Sequence, residues 1–564
     1  MHLYVLYLYI LRYLAKKSTL FGVFMKKFLL FTFVIACFTV LSAFMAEKTD
    51  LLGLRDMTLQ TSFDEQNGHM ILSWDPLPYP CFYKVDTYSR TTGLVEGEPE
   101  YHFFSSGYTM NASFEVPRSG IPANYRVTAY GIFGALTSPS TPIENPVYAK
   151  NPISPSVIFH YGEDNPASLM PFLVWHAIPN AVCYEVELLS GKPAAEGGVE
   201  DDKANHLEST KLIFTNGWQA DLRKYANRKF IYWRVRALDI HHRPIGEFSH
   251  SEALYMDASL PQPDRPLLND FDQMPNFQMP VYPVYHWIPL HNISRYEVEL
   301  LIHPPAEEHG ILPDADTVWR KTVDSATTCY DEYGRPYAGD YYWRVRAVDA
   351  GGYTIGTWSD TQHFTMPEHA ARVPVAVLGD SITHGGGAVS NSPAALEYSY
   401  TTYFDFPCLN LGRSGDTSRM TLERFDRDVL PFYPINLLIL TGTNSLRAAH
   451  ISPESVVNDL QAIRDKCLAN DIRPVFMTLM PVNPPNILFA FRAPTDPQWR
   501  KKLSIINDWI RQQEYFIDLE PYFYDPSHTK MDDKFSVDGL HPDVYGKMLM
   551  GEIVNMNRGK LLLP

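Results

Sequence analysis

Residues 50–366 and residues 372–560 carry different patterns of hydrophobic and polar positions. In the first region, segments such as 184–189 and 296–301 alternate apolar with polar residues. That alternation predicts short strands with one buried face. In the second region, continuous apolar runs alternate with amphipathic segments, which predicts a parallel sheet covered by helices on both faces. The apolar runs are 373–378, 406–411, 435–440, 474–479 and 515–519.

The first region also contains an internal repeat with a period of about 110 residues. The sequence YEVELL occurs at 184–189 and again at 296–301, and YWRVRA occurs at 232–237 and again at 342–347. A weaker first copy begins at Trp74. Copies of this length with an early Trp and a later aromatic strand are typical of two-sheet sandwiches.

The repeat resembles fibronectin type III domains, three in tandem. The resemblance places β-sandwiches at 50–150, 151–258 and 259–366. No cluster of titratable residues stands out in these copies, so we expect them to serve location or docking rather than catalysis.

Four polar motifs follow apolar runs in the second region, where a parallel sheet places its active site. Ser452 and Asp496, each followed by proline, predict the starts of two intervening helices. Each motif alone is also ordinary turn chemistry. The motifs are Gly-Asp-Ser at 379–381, Gly-Arg-Ser-Gly-Asp-Thr at 412–417, Thr-Gly-Thr-Asn at 441–444 and Asp-Gly-Leu-His-Pro at 538–542.

In this order the motifs resemble the four marker blocks of the SGNH (GDSL) hydrolase family. The resemblance covers residues 372–564 and implies a three-layer α/β flavodoxin-like fold with esterase or acylhydrolase activity. It implies that Ser381 is the nucleophile, His541 the base and Asp538 its orienting partner. Ser381, Gly415 and Asn444 would form the oxyanion hole, with Gly415 matching the family block better than Gly412.

These residue types suit ester cleavage. A serine hydroxyl becomes a nucleophile when a neighbouring imidazole takes its proton. A carboxylate on the other ring nitrogen fixes the tautomer, and preorganised donors stabilise the oxyanion. His384, three residues after the serine, is an alternative base, although the order of the motifs favours His541. This chemistry needs no cofactor or metal, and the sequence shows no metal-ligand cluster.

Residues 1–46 predict a targeting segment that is not part of a fold. Met25 precedes two lysines and an uncharged apolar stretch, so we take it as the natural start. Export with cleavage is the favoured interpretation, and an uncleaved membrane anchor is the alternative. A lipid anchor on Cys37 ranks lower because apolar residues follow it.

The formal net charge of −16 argues against nucleic acid as a partner. The sequence therefore predicts a secreted, periplasmic or envelope-located carboxylic ester hydrolase, with an acetylated polysaccharide as its candidate substrate. A lipase or lysophospholipase acting on long acyl chains is one alternative. The other is a glycan-binding or adhesion protein in which the hydrolase domain is only a scaffold.

Overall fold

The computed structural model describes two compact units, Met1–Lys150 and Asn151–Pro564. The first is described at 59–64, 69–74, 76, 81–92, 99–117 and 123–131, and the second at 154–563 except 195, 197, 199–200, 273–277, 367–371 and 389–390. The predicted targeting segment lies outside these residues. Within them, no helix is both long and apolar enough to cross a membrane.

The first unit contains two antiparallel sheets of three strands, ordered β1-β2-β5 and β4-β3-β6. Trp74 packs edge-on against Tyr83, with their ring centroids 5.1 Å apart, in a small apolar core. The strands are β1 Gln60–Asp64, β2 His69–Ser73, β3 Cys81–Thr92, β4 Pro99–Thr109, β5 Ser113–Pro117 and β6 Ala123–Gly131.

The second unit begins with two further pairs of antiparallel sheets, one for each of the stronger repeats. The first pair contains β7 Phe172–Val174, β8 Cys183–Leu189, β9 His206–Ile213, β10 Gly217–Gln219, β11 Phe230–Leu238, β12 Pro244–Ile245 and β13 Glu252–Tyr255. The second contains β14 Leu267–Leu268, β15 Val284–Ile288, β16 Tyr296–Leu301, β17 Thr317–Val323, β18 Thr328–Tyr330, β19 Gly339–Val348, β20 Thr354–Ile355 and β21 Gln362–Met366.

The repeated YEVELL and YWRVRA segments pair with each other in both copies, as β8 with β11 and as β16 with β19. The prediction of one buried face is wrong for β8, because all seven of its residues are buried. Its glutamates form buried ion pairs with arginines of β11, so the polar positions face neighbouring side chains instead of water.

The chain after residue 372 forms one parallel sheet of five strands, ordered β23-β22-β24-β25-β26. This is the doubly wound order in which a ligand site lies beyond the carboxyl ends of the first strands. The strands are β22 Val375–Gly379, β23 Leu409–Gly412, β24 Asn436–Leu440, β25 Arg473–Met477 and β26 Phe516–Ile517. The helices are α1 Ser381–His384, α2 Ser418–Glu423, α3 Phe425–Asp428, α4 Thr443–Arg447, α5 Pro453–Ala469, α6 Pro484–Phe491, α7 Trp499–Arg511 and α8 Val544–Met556.

A single apolar cluster contains the core of the parallel sheet together with that of the second pair of antiparallel sheets, whereas most of the core of the first pair forms a separate cluster. The shared cluster includes Trp287 and Trp343 from the antiparallel strands as well as Val377 and Leu438 from the parallel ones. The boundary between the predicted third sandwich and the hydrolase, residues 367–371, lies outside the described residues. The shared cluster shows that the second pair of antiparallel sheets and the parallel sheet pack around one core.

Candidate active site

Ser381 lies directly beyond β22, at the start of the one-turn helix α1. Oδ1 of Asp380 accepts a hydrogen bond of 3.1 Å from the Ile382 amide and so caps this helix. Glycine is required at position 379, because a Cβ there would lie 2.1 Å from the carbonyl oxygen of Leu440. The buried strand and the cap therefore hold the Ser381 hydroxyl at the edge of the sheet.

His541 and Asp538 lie in the loop before α8, and the structure brings both to Ser381. The Nε2 of His541 lies 2.9 Å from Oγ of Ser381, and its Nδ1 lies 2.8 Å from Oδ2 of Asp538. An ionised carboxylate only accepts, so Nδ1 carries the proton and Nε2 accepts from the Ser381 hydroxyl. This arrangement primes the imidazole to take the serine proton.

Asp538 is fully buried and is held by its own loop. Its Oδ1 accepts hydrogen bonds from the amides of Leu540 and His541 at 2.7 and 2.8 Å. Burial raises the pKa of Asp538, but the His541 imidazole and these amides outweigh burial and leave the pKa below its ordinary value. The carboxylate therefore stays ionised beside the imidazole.

Gly415 lies on the loop after β23, and Asn444 lies in the first turn of α4, which follows β24. Nδ2 of Asn444 donates a hydrogen bond of 3.0 Å to the carbonyl oxygen of Asp416, so the side chain of Asn444 is tied to the Gly415 loop. The amide group keeps a second hydrogen for another acceptor. Gly415 is exposed and has a φ of 89°, a conformation that favours glycine.

The Gly415 loop is anchored by a buried arginine that the sequence did not single out. Nε of Arg424 bonds Oδ2 of Asp416 at 2.5 Å, and its terminal nitrogens reach the carbonyl oxygens of Leu411 and Gly379. Arg424 thus ties the ends of β22 and β23 together. An arginine in the turn between α2 and α3 has no sequence signal that would reveal this role.

His384, the alternative base of the sequence analysis, is engaged elsewhere with both ring nitrogens. Nε2 lies 2.8 Å from the carbonyl oxygen of Tyr282, so it donates, and Nδ1 accepts from the hydroxyl and amide of Ser414 at 2.9 and 3.2 Å. Burial, together with the positive charges of Arg424, Lys547 and Arg413, lowers the pKa of His384 to about 4, although the hydrogen bond to the Tyr282 carbonyl raises it. His541, and not His384, is the imidazole at Ser381.

Three more ionisable groups are buried behind Ser381, and sequence reasoning missed all of them. Nζ of Lys547 donates a hydrogen bond of 2.6 Å to the carbonyl oxygen of Ile382. Burial lowers the pKa of Lys547 to about 7 and raises the pKa of Asp380 to about 6. Burial and the nearby Asp538 raise the pKa of Asp543 to about 8. Lys547 thus supports the turn that carries Ser381.

An apolar surface adjoins His541. The ring of Phe491 lies 5.8 Å from the imidazole of His541, and Phe489 on the same helix α6 contacts His241 of the preceding sheets at 4.9 Å. Leu488, Phe489 and Phe491 are 52%, 43% and 38% exposed. Three large apolar side chains on one eight-residue helix therefore face solvent beside the site.

No group of three or more metal-ligating side chains occurs among the residues that the structure describes. Every polar contact described above is made between groups of the protein itself.

Comparison with known families identifies the C-terminal part of the chain. Residues 377–549 match the model of the GDSL-like Lipase/Acylhydrolase family. This segment is a GDSL-like hydrolase domain, and the chain is an ester hydrolase. No curated protein matches the chain.

Several solved structures resemble the same part of the chain. The lipase/acylhydrolase from Enterococcus faecalis is 20% identical over 34% of this chain and 97% of its own, with a TM-score of 0.28. A GDSL-like lipase from Bacteroides thetaiotaomicron VPI-5482 is 18% identical over 33% and 86%, with a TM-score of 0.27. A catalytic mutant of an acetylxylan esterase from Geobacillus stearothermophilus is 17% identical over 35% and 100%, also with a TM-score of 0.27.

Proposed function

We propose that this protein hydrolyses carboxylic esters with Ser381 as nucleophile, His541 as general base and Asp538 as its orienting partner. The observation that carries the proposal is the continuous hydrogen-bond chain from the serine to the aspartate, with 2.9 Å between Ser381 Oγ and His541 Nε2 and 2.8 Å between His541 Nδ1 and Asp538 Oδ2.

The reaction proceeds in two halves. Oγ of Ser381 attacks the ester carbonyl while Nε2 of His541 takes its proton, and the resulting imidazolium returns that proton to the leaving alcohol. A water molecule then attacks the acyl-enzyme with the same imidazole as base, and the carboxylic acid leaves. Ionised Asp538 stabilises the imidazolium in both halves.

Negative charge develops on the carbonyl oxygen during each attack. We assign its stabilisation to the backbone amides of Ser381 and Gly415 and to the free hydrogen of the Asn444 amide. Donors that are already fixed need no reorganisation when the charge appears. The hydrogen bond from Asn444 to Asp416 supports this assignment by fixing the amide plane.

The wider role follows from the organisation of the chain. We propose that the enzyme is exported to the cell surface or envelope and that its antiparallel sheets are fibronectin type III-like domains. An exported esterase joined to such domains suits a polymer, so an acetylated polysaccharide is the first candidate substrate. The apolar run before residue 46 supports export.

The apolar surface of α6 favours a second candidate, an ester with a longer acyl chain. Phe491 reaches His541, and the neighbouring Phe489 extends the apolar surface toward His241. Each methylene that such a surface buries contributes about 0.8 kcal/mol, roughly fourfold in kcat/KM. We therefore expect kcat/KM to increase with the length of the acyl chain if this surface binds it.

A series of nitrophenyl esters from acetate to octanoate tests both candidates. Acetyl specificity requires kcat/KM to be highest for acetate, and a longer-chain enzyme requires it to rise with length. Phe489→Ser should abolish such a rise, and Leu468→Ser, at an exposed site at the end of α5, should not.

Ser381→Ala tests the nucleophile itself. Its loss should lower kcat on the order of a million-fold and abolish labelling by a fluorophosphonate probe. A folded Ser381→Ala protein that retains most of the esterase activity would refute the proposed mechanism.

A further inference from the structure

The segment that enters β15 is inserted into the hydrolase. The amide of Val281 donates a hydrogen bond of 3.2 Å to the carbonyl oxygen of Asn410 on strand β23. Tyr282 is fully buried, and its hydroxyl lies 2.5 Å from Oδ2 of Asp428 and 2.7 Å from Nη2 of Arg427. The segment therefore docks between strand β23 and helix α3.

The ring of Tyr282 also contacts the base of the Gly415 loop. The guanidinium groups of Arg413 and Arg424 each lie 5.4 Å from the ring centroid. Arg413 is the first residue of that loop, and Arg424 is its buried anchor. One tyrosine of the segment before β15 thus contacts two arginines of the loop and its anchor.

His384 continues this contact to the middle of the loop. The carbonyl of Tyr282 accepts from Nε2 of His384 and so leaves Nδ1 as the acceptor. That acceptor takes hydrogen bonds from both the amide and the hydroxyl of Ser414, the residue before Gly415. The Ser414 amide can only donate, so the Tyr282 carbonyl and the Ser414 amide select the same tautomer of His384.

We infer that His384 is a positioning residue, fixed by the Tyr282 carbonyl, that holds Ser414 and so places the Gly415 amide for the oxyanion. The antiparallel sheets then complete the active site and are not a spacer before it. The inference rests on the proposed function, since it assigns Gly415 a donor role in ester hydrolysis.

Other contacts also hold the Gly415 loop, and they limit how much activity the loss of His384 should cost. The amide of Arg413 donates to the carbonyl of Gly379, and Asn444 holds the carbonyl of Asp416. Both contacts flank the Ser414–Gly415 pair, in which the Ser414 amide donates to Nδ1 of His384. Losing His384 should therefore displace one donor without unfolding the loop.

The test compares three variants in the full chain. His384→Ala removes both contacts, Ser414→Ala removes only the hydroxyl, and Tyr398→Phe is the control. Tyr398 is also buried against the preceding sheets, where its hydroxyl accepts a hydrogen bond of 2.7 Å from the Asn180 amide. The control therefore breaks a buried contact between the same two parts of the chain but not the one at the oxyanion loop.

We expect His384→Ala to lower kcat on nitrophenyl acetate by roughly 10- to 100-fold, with KM changed less than about threefold, since a displaced oxyanion donor affects the transition state. Ser414→Ala should cost about 3- to 10-fold in kcat, because the Ser414 amide still bonds His384. Tyr398→Phe should keep its kcat while its melting temperature falls.

Two results would overturn the inference: kcat of folded His384→Ala within threefold of wild type, or an equal loss of kcat in Tyr398→Phe. If His384→Ala does not fold, an unchanged kcat in Ser414→Ala overturns it. The proposed function fails separately, when the wild-type protein hydrolyses no ester and takes up no fluorophosphonate.

Discussion

In the proposed mechanism, the side chain of Asn444 serves both the loop and the reaction. Its amide donates one hydrogen to the Asp416 carbonyl, and we assign the other hydrogen to the substrate oxygen. Asn444→Ala should lower kcat roughly 100- to 1,000-fold with little change in KM, as for other oxyanion donors. Steady-state kinetics on nitrophenyl acetate measures both constants.

Asn436→Ala is the matched control, because Asn436 lies at the opposite end of the same strand and bonds only the carbonyls and amide of the chain around it. It should cost stability and leave kcat unchanged. A rise in KM alone for Asn444→Ala would mean that Asn444 binds substrate without stabilising the oxyanion.

His384 also predicts a dependence of stability on pH. Its pKa falls from 6.5 to about 4, because burial and the charges of Arg424, Lys547 and Arg413 disfavour the imidazolium. The unfolded chain therefore binds the extra proton first, and stability present above pH 6.5 is lost as pH falls toward 4. A shift of this size corresponds to about 3 kcal/mol at the acid end.

Denaturant unfolding of wild type and His384→Gln at pH 7 and pH 4 measures this contribution. The wild-type free energy of unfolding should fall by about 3 kcal/mol more than that of the variant, since the other acid-sensitive groups, including Asp538, are common to both. Equal losses would show that His384 takes up no proton on unfolding.

At the scale of single residues, the sequence predicts the motif residues better than the residues that hold them in place. Ser381, His541 and Asp538 belong to short motifs at strand ends, and the structure brings them within hydrogen-bond distance. Arg424 and Lys547 were not predicted, because a buried charge on a helix has the same local sequence as an exposed one. The carbonyl of Tyr282 is a backbone group and carries no sequence signal at all.

At the scale of elements, the repeated strands hold buried ion pairs that the alternation concealed. On β8 and β11, Glu187 pairs with Arg234 at 2.7 Å, and the guanidinium lies 4.1 Å from the ring centroid of Phe248. On β16 and β19, Glu297 pairs with Arg346 under the ring of Trp358. The alternation predicted the strands correctly. It did not predict that the polar positions are buried, because aromatic side chains cover them.

These pairs predict an asymmetric effect of mutation. Arg234→Met should leave Glu187 buried without its guanidinium and cost about 3–5 kcal/mol of unfolding free energy. Arg243→Met removes an arginine that is paired with Asp239 but largely exposed, and should cost less than about 1 kcal/mol. Urea unfolding measures the free energy of unfolding of both variants. Similar losses would show that burial of the ion pair between Glu187 and Arg234 contributes little to stability.

At the scale of the whole molecule, the sequence predicted separate domains. The contacts of the structure instead join the hydrolase to the sheets that precede it. Apolar periodicity indicates which positions of each element are buried, but not which element covers them. The antiparallel sheets of residues 267–366 and the parallel sheet share one apolar cluster, and His384 bonds a residue 102 positions earlier in the chain. Partners at that separation are fixed by the packing of whole domains, which no local pattern encodes.

Two truncations test whether the hydrolase depends on the sheets that precede it. A chain starting at Asn151 lacks only the first compact unit and should keep the wild-type kcat on nitrophenyl acetate, because the second unit retains its own core.

A chain starting at Arg372 also loses Val281 and Tyr282, and with them the contacts to Asn410, Asp428 and His384. It exposes apolar surface that the antiparallel sheets now cover, so it should aggregate or fold with a much lower kcat. Circular dichroism separates these outcomes from a folded enzyme. A soluble 372–564 chain with the wild-type kcat would show that the hydrolase is independent of the sheets before it, and that their contact with the Gly415 loop has no catalytic role.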